Sequence, residues 1–254
     1  MDLVEVADDS GFERHPWEIA RLAAVRTILD RTLLSAGPRT ALDVGCGDAF
    51  LSRRLFGDRS GWEVTCIDVH LSAEQVERFA RVTPRFTYCH DYSQIAGLRF
   101  DLLLLLDVLE HVEDDRALLL RLTRDHLRPG GQVLIMVPAI PALYGSHDVF
   151  LKHYRRYERR ALVELARSCG VRVIAAGSLF ACLVIPRWLS VWWQAHLGDI
   201  RQHGIGNWRY GPLVSAATTM ALRADSGVCR FLGRLGIQLP GLTAWVLCEQ
   251  ATDL

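Results

Sequence analysis

The chain carries no surplus charge of either sign: 29 basic residues are balanced by 29 acidic ones. Nonspecific nucleic-acid binding leans on excess positive charge, so this balance argues against it. No uncharged apolar run reaches the roughly 18 residues of a membrane span. Residues 1–10 are acidic, where a secretory signal would be basic and then apolar. The seven cysteines form no C-x-x-C pair and no metal-type spacing, and no metal is assigned. An odd, unpatterned set implies reduced thiols in a cytoplasmic protein, with Cys46, Cys66 and Cys89 as core filler in strand-like runs. Internal repeats and low-complexity segments are absent as well.

What is present is apolar. Half of the 254 residues are hydrophobic, enough for one large domain or one domain with an insertion. Residues 16–36 repeat apolar side chains at helical spacing, and Pro16 suits a first helical position. Strand-like runs follow at 40–46, 63–69, 85–91, 100–109, 131–139, 171–181 and 242–250. Helical patterns alternate with most of them, near 50–56, 71–82, 114–126 and 159–169. The run FDLLLLLDVL is continuously apolar, as a strand covered on both faces would be. This alternation predicts an α/β fold, a doubly wound and mostly parallel seven-stranded sheet of Rossmann-like type. Residues 1–37 then form an N-terminal helical segment, 38–181 with 242–254 the main domain, and 182–241 a helical insertion.

The first strand ends in LDVGCGDA. Glycines there let the backbone turn sharply and approach a ligand, with a helix N-terminus behind. A dinucleotide fingerprint would place a third glycine at position 50, where Phe50 stands, so a nicotinamide site is disfavoured. Acidic residues mark four strand ends: Asp43 before the turn, Asp68, Asp91 and Asp107. Ligands of open parallel sheets bind beyond those carboxyl ends. Asp68 could accept ribose hydroxyls and Asp91 an exocyclic amine, although aspartate is also a common turn residue.

The segments LDVGCGDA, VTCIDVH, CHDYS, FDLLLLLDVLEHVEDD and LRPGG resemble those of class I S-adenosylmethionine-dependent methyltransferases. The likeness covers about residues 38–180 and returns at LTAWVLCEQ. Ala49 stands where the family usually has a third glycine. The resemblance implies S-adenosylmethionine as cofactor and S-adenosylhomocysteine as product. It implies that Gly45 and Gly47 face the cofactor, that Asp68 holds the ribose and Asp91 the adenine, and that Asp107 edges the methyl-donor pocket, with Asp43, Val69 and Tyr92 as further cofactor-binding residues. His111, in the EHV segment, is implied to be structural.

The stretch SHDVFLKHYRRY, residues 146–157, gathers reactive groups just after the fifth strand. A hydroxyl acceptor must lose its proton, and the histidine pKa suits that task. His147, His153 and Tyr154 are therefore the catalytic candidates, with Asp148 orienting one imidazole. Arg155, Arg156 and Tyr157 are acceptor-binding candidates. A solvated, capped helix start is the plainer account of the same charges. The stretch resembles that of bacterial methyltransferases acting on lipid-like, polyketide-like or quinone-like acceptors. In the insertion, Trp188, Trp192 and Trp193 share a helix face with leucines. Three roles stay open for it: a cap on an apolar acceptor site, with Trp192 and Trp193 touching substrate; a peripheral patch for the inner membrane face; or a homodimer contact. O-methylation in a biosynthetic pathway is the preferred activity, of a small apolar acceptor, free or carrier-bound. C- or N-methylation, or a non-catalytic cofactor-binding subunit, are the alternatives.

Overall fold

The computed structural model describes residues 14–29, 39–197, 208 and 210–251. The distal part of the expected first helix, residues 30–36, lies outside them, as does most of the glycine-rich stretch near 204–209.

Seven strands form one sheet: β1 (Arg39–Val44), β2 (Trp62–Ile67), β3 (Phe86–Cys89), β4 (Phe100–Leu106), β5 (Leu127–Pro138), β6 (Val171–Leu179) and β7 (Thr243–Gln250). Their spatial order is β3-β2-β1-β4-β5-β7-β6. β1 to β5 are parallel, whereas β7 runs antiparallel to both β5 and β6. Leu102, Leu103, Leu104 and Leu105 of β4 are all fully buried. Leu102 and Leu104 belong to the core on one face of the sheet, Leu103 and Leu105 to the core on the other. This is the side-chain alternation of a strand covered twice. At about 1.5–3 kcal/mol each, these four side chains are a large fraction of what holds the sheet centre together.

Two expected boundaries shift for local reasons. β4 stops at Leu106 because Asp107 takes a left-handed φ of 58°. β5 starts four residues early, because Leu127 already pairs with Phe100 across an irregularity in the register.

The helices are α1 (Pro16–Leu29), α2 (Phe50–Phe56), α3 (Ala73–Val82), α4 (Asp115–His126), α5 (Ser146–Phe150), α6 (Arg159–Ser168), α7 (Val184–Leu197) and α8 (Gly211–Arg234). α3 begins at a capping box, with Ser72 accepting from the Gln75 N–H and Gln75 accepting from the Ser72 N–H. The 182–241 segment divides in two. α8 packs on α1 and β6, and its Asp225 accepts from the N–H groups of Ala181 and Cys182, both at 2.9 Å. α7 instead crosses the carboxyl edge of the sheet.

Candidate active site

A cavity of about 770 Å³ opens at the carboxyl ends of β1, β2 and β4. Its floor is the turn after β1. Gly45 has φ 66°, and a Cβ there would sit 2.8 Å from Val108 Cγ2. Only glycine keeps this close approach open. The Gly47 N–H donates to Asp68 Oδ2 at 2.9 Å, and the His70 N–H to Asp68 Oδ1 at 2.9 Å. Asp68 thus ties the glycine turn to the end of β2. Gly45, Asp68, Val69, Tyr92 and Asp107 all line the cavity. Asp107 is held by Arg21 of α1, and the Arg21 guanidinium lies 4.9 Å from the Trp17 ring.

Two of the four strand-end carboxylates do not reach this space. Asp43 is buried and accepts from Ser52 Oγ at 2.7 Å, pinning α2 to β1. Burial pushes its carboxyl up to about 6, against the opposing pull of Ser52. Asp91 caps its own turn, accepting from the Ser93 N–H at 2.7 Å. The Ser93 side chain, and then this backbone bond, hold its pKa below the usual carboxylate value. Asp43 points inward because side chains alternate along β1; Asp91 is turned aside because an Asx turn satisfies it locally.

The acceptor side of the cavity is built from residues 146–156 around one carboxylate. Asp148 is fully buried. It accepts from the Gly145 N–H at 2.9 Å, His153 Nδ1 at 3.0 Å, Arg156 Nε at 2.8 Å and an Arg187 terminal nitrogen at 2.8 Å. Burial alone would raise its pKa. The hydrogen bonds and cations outweigh that and hold it well below the usual range. A carboxylate only accepts, so the His153 Nδ1 that faces it carries a proton. His147 also lines the cavity. Burial, helped by nearby Arg187, lowers its pKa to about 4, so the ring is neutral at pH 7.

Not every group in this stretch faces inward. Tyr154 is 57% exposed and reaches Glu110 only through its backbone, its N–H donating to the Glu110 carbonyl at 2.7 Å. Arg155 donates to the Glu113 carbonyl at 2.6 Å and pairs with Asp115 at 3.2 Å. Tyr157 is buried, with its hydroxyl donating to Asp115 at 2.7 Å. Burial and Asp115 raise the Tyr157 pKa. Of the three acceptor-binding candidates here, only Arg156 lines the cavity, and it is already anchored on Asp148 and the Ala139 carbonyl.

α7 does cover this edge, but with the opposite face from the one expected. Arg187, Ser190 and Gln194 line the cavity. Trp188, Trp192 and Trp193 face solvent at 52%, 45% and 48% exposure, with Trp192 stacked on His196. The space beneath the helix is lined with charged and hydrogen-bonding groups, so its polar stripe turns inward. That stripe was visible in the sequence, since positions 187, 190 and 194 fall on one helix face. Glu110 and His111, from the turn after β4, also border the cavity, beside His153.

A seven-stranded sheet of this order, a cradle that a Cβ would fill and a carboxylate after β2 fit S-adenosylmethionine. That arrangement is the one expected of the class I S-adenosylmethionine-dependent methyltransferase fold. Residues 42–133 match the family model described as a methyltransferase domain. No curated protein sequence matches the chain. Among solved structures it is similar to the [4+2]-cyclase SpnF, at 21% identity, over 90% of this chain and 80% of that one, with a TM-score of 0.53. It is also similar to the N-methyltransferase NodS from Bradyrhizobium japonicum, at 15% identity, 93% and 97% coverage and a TM-score of 0.51. An O-methyltransferase family protein from Burkholderia thailandensis matches at 12% identity, 94% and 59% coverage and a TM-score of 0.54. At these identities the likeness to solved structures shows the fold alone.

Proposed function

We propose that this methyltransferase transfers the methyl group to a hydroxyl of an apolar aromatic, polyketide-like or lipid-like small molecule. The observation that carries the reading is His147, a neutral imidazole on the wall of the cavity that the glycine turn also lines. Bound S-adenosylmethionine supplies a methyl group on a sulfonium, a good leaving group. What remains for the chain is to orient the acceptor and to take its proton. Gly45, Asp68 and Tyr92 border the cofactor side. His147 accepts the hydroxyl proton. Phe150, Leu151 and Leu118 supply apolar wall. The solvent-facing indoles of α7 lie on the helix that walls the cavity, and indole suits a lipid–water boundary. We read them as a peripheral membrane contact through which a lipid-like acceptor enters.

The test is transfer of a labelled methyl group by the purified protein to small molecules of a cell extract, with products identified by mass spectrometry. His147→Ala should slow a single turnover by about 10²–10⁴ while cofactor affinity holds. Transfer to nitrogen or carbon would refute O-methylation. An undiminished rate in the folded variant would remove His147 as the base.

A further inference from the structure

Glu110 and His111 sit in the short 3-10 turn Leu109–His111 that follows β4, and His153 lies just beyond α5. No spacing in the sequence announces the three as a set. In the fold, one carboxylate oxygen and one nitrogen from each imidazole lie within 4.8 Å of one another. We propose that Glu110, His111 and His153 form a binding site for a divalent transition-metal ion on the acceptor side of the cavity.

Four observations carry this. Donors about 2.0–2.2 Å from a shared ion lie roughly 3–4 Å apart, so the present spacing closes onto an ion with side-chain shifts of about an ångström. The His111 and His153 rings meet edge to face at 4.6 Å, which brings both imidazoles to one point. His153 is already held as a metal-binding histidine is held. Its Nδ1 is engaged by Asp148, which leaves Nε2 as the ring nitrogen that would face an ion. Asp148 is fixed in turn by Arg156, Arg187 and the Gly145 N–H, so the outer support of this ligand is rigid. Finally, Glu110 is fully buried. A divalent ion is drawn to such a carboxylate, because little water competes for it there. The hydrogen bond from the Tyr154 N–H to the Glu110 carbonyl, at 2.7 Å, ties the two ligand-bearing segments together.

Two imidazoles and one carboxylate suit zinc, iron(II), cobalt or manganese better than magnesium or calcium, which favour all-oxygen sets. All three residues line the cavity, so the open coordination positions face the space left for the acceptor. The acceptor class is then an oxygen donor such as a phenol, catechol or enol. Coordination lowers the pKa of such a hydroxyl, so that a base as weak as His147 suffices. This last step rests on the O-methylation reading; the metal site does not.

The experiment is calorimetric titration of the chelator-stripped full chain with zinc, and with cobalt(II) followed by its visible absorption. We expect one equivalent to bind. Glu110→Gln, His111→Ala and His153→Ala should each weaken binding by at least about 10–100-fold, while His90→Ala, an exposed imidazole elsewhere, leaves it unchanged. If Glu110→Gln fails to fold, the two histidine variants decide. No stoichiometric binding overturns the site, as does binding that survives the histidine variants, which would mark an adventitious ion. S-adenosylmethionine affinity is measured separately on the same stripped protein. Metal binding without cofactor affinity would sink the methyltransferase reading and leave the metal site standing.

Discussion

Asp148→Asn should be among the most damaging single-atom changes available to this protein. The carboxylate is fully buried and accepts from four N–H groups, two of them on the guanidinium groups of Arg156 and Arg187. Asparagine keeps one acceptor oxygen and turns an NH₂ toward groups that only donate. Removing one partner from a buried ion pair costs about 3–5 kcal/mol, because the other charge is left uncompensated. The Arg187 side chain keeps 14% exposure and rehydrates in part, which argues for the lower half of that range. For a chain of this size each kcal/mol moves Tm by about 2–4 °C, so the expected loss is roughly 6–16 °C by calorimetry. The pH dependence gives a sharper check. The folded pKa of Asp148 is depressed below its unfolded value. Its contribution is therefore complete above the unfolded pKa of about 3.9 and is lost as pH falls through the folded one. The gap between wild type and Asp148→Asn should stay constant from about pH 5 to 8 and narrow below about pH 4. A Tm loss under about 2 °C at pH 7 would refute the claim that this carboxylate organises the acceptor wall.

Asp68→Ala should weaken S-adenosylmethionine binding by about 1.5–3 kcal/mol, the range for lost charge-assisted hydrogen bonds; unchanged affinity by calorimetry on the folded variant would take Asp68 out of the site. Replacing Trp192 and Trp193 together by Ala should abolish vesicle binding while activity on a water-soluble acceptor persists. A shift in sedimenting mass instead would make the indoles a dimer contact.

The sheet and the cofactor floor were legible because their signals are local. A glycine turn, a carboxylate one strand later and an unbroken leucine strand each sit within a few residues of sequence. Direction and rotation were not. Strand ends could be counted, but whether Asp43 or Asp68 faces the ligand depends on side-chain alternation and on what packs behind, here Ser52. Nothing in LTAWVLCEQ distinguishes an antiparallel strand from a parallel one. α7 was oriented by the rule that apolar faces turn inward. It covers a cavity rather than a core, so Arg187, Ser190 and Gln194 took that side. The Glu110, His111 and His153 cluster was hidden for another reason: it exists only once the turn after β4 meets the loop after β5.

The placement of β7 has a consequence for how the chain is made. Among the described residues β6 hydrogen-bonds to no strand but β7, and β7 is the later of the two in the chain. At about 5–20 residues per second, the 64 residues from Leu179 to Thr243 take roughly 3–13 s to emerge. Throughout that interval β6 packs on α6 but has no partner strand, and β5 keeps an open edge, the situation that invites intermolecular strand pairing. One half of the sheet can close as it is synthesised; the other must wait, and this waiting period is where a chaperone would matter most.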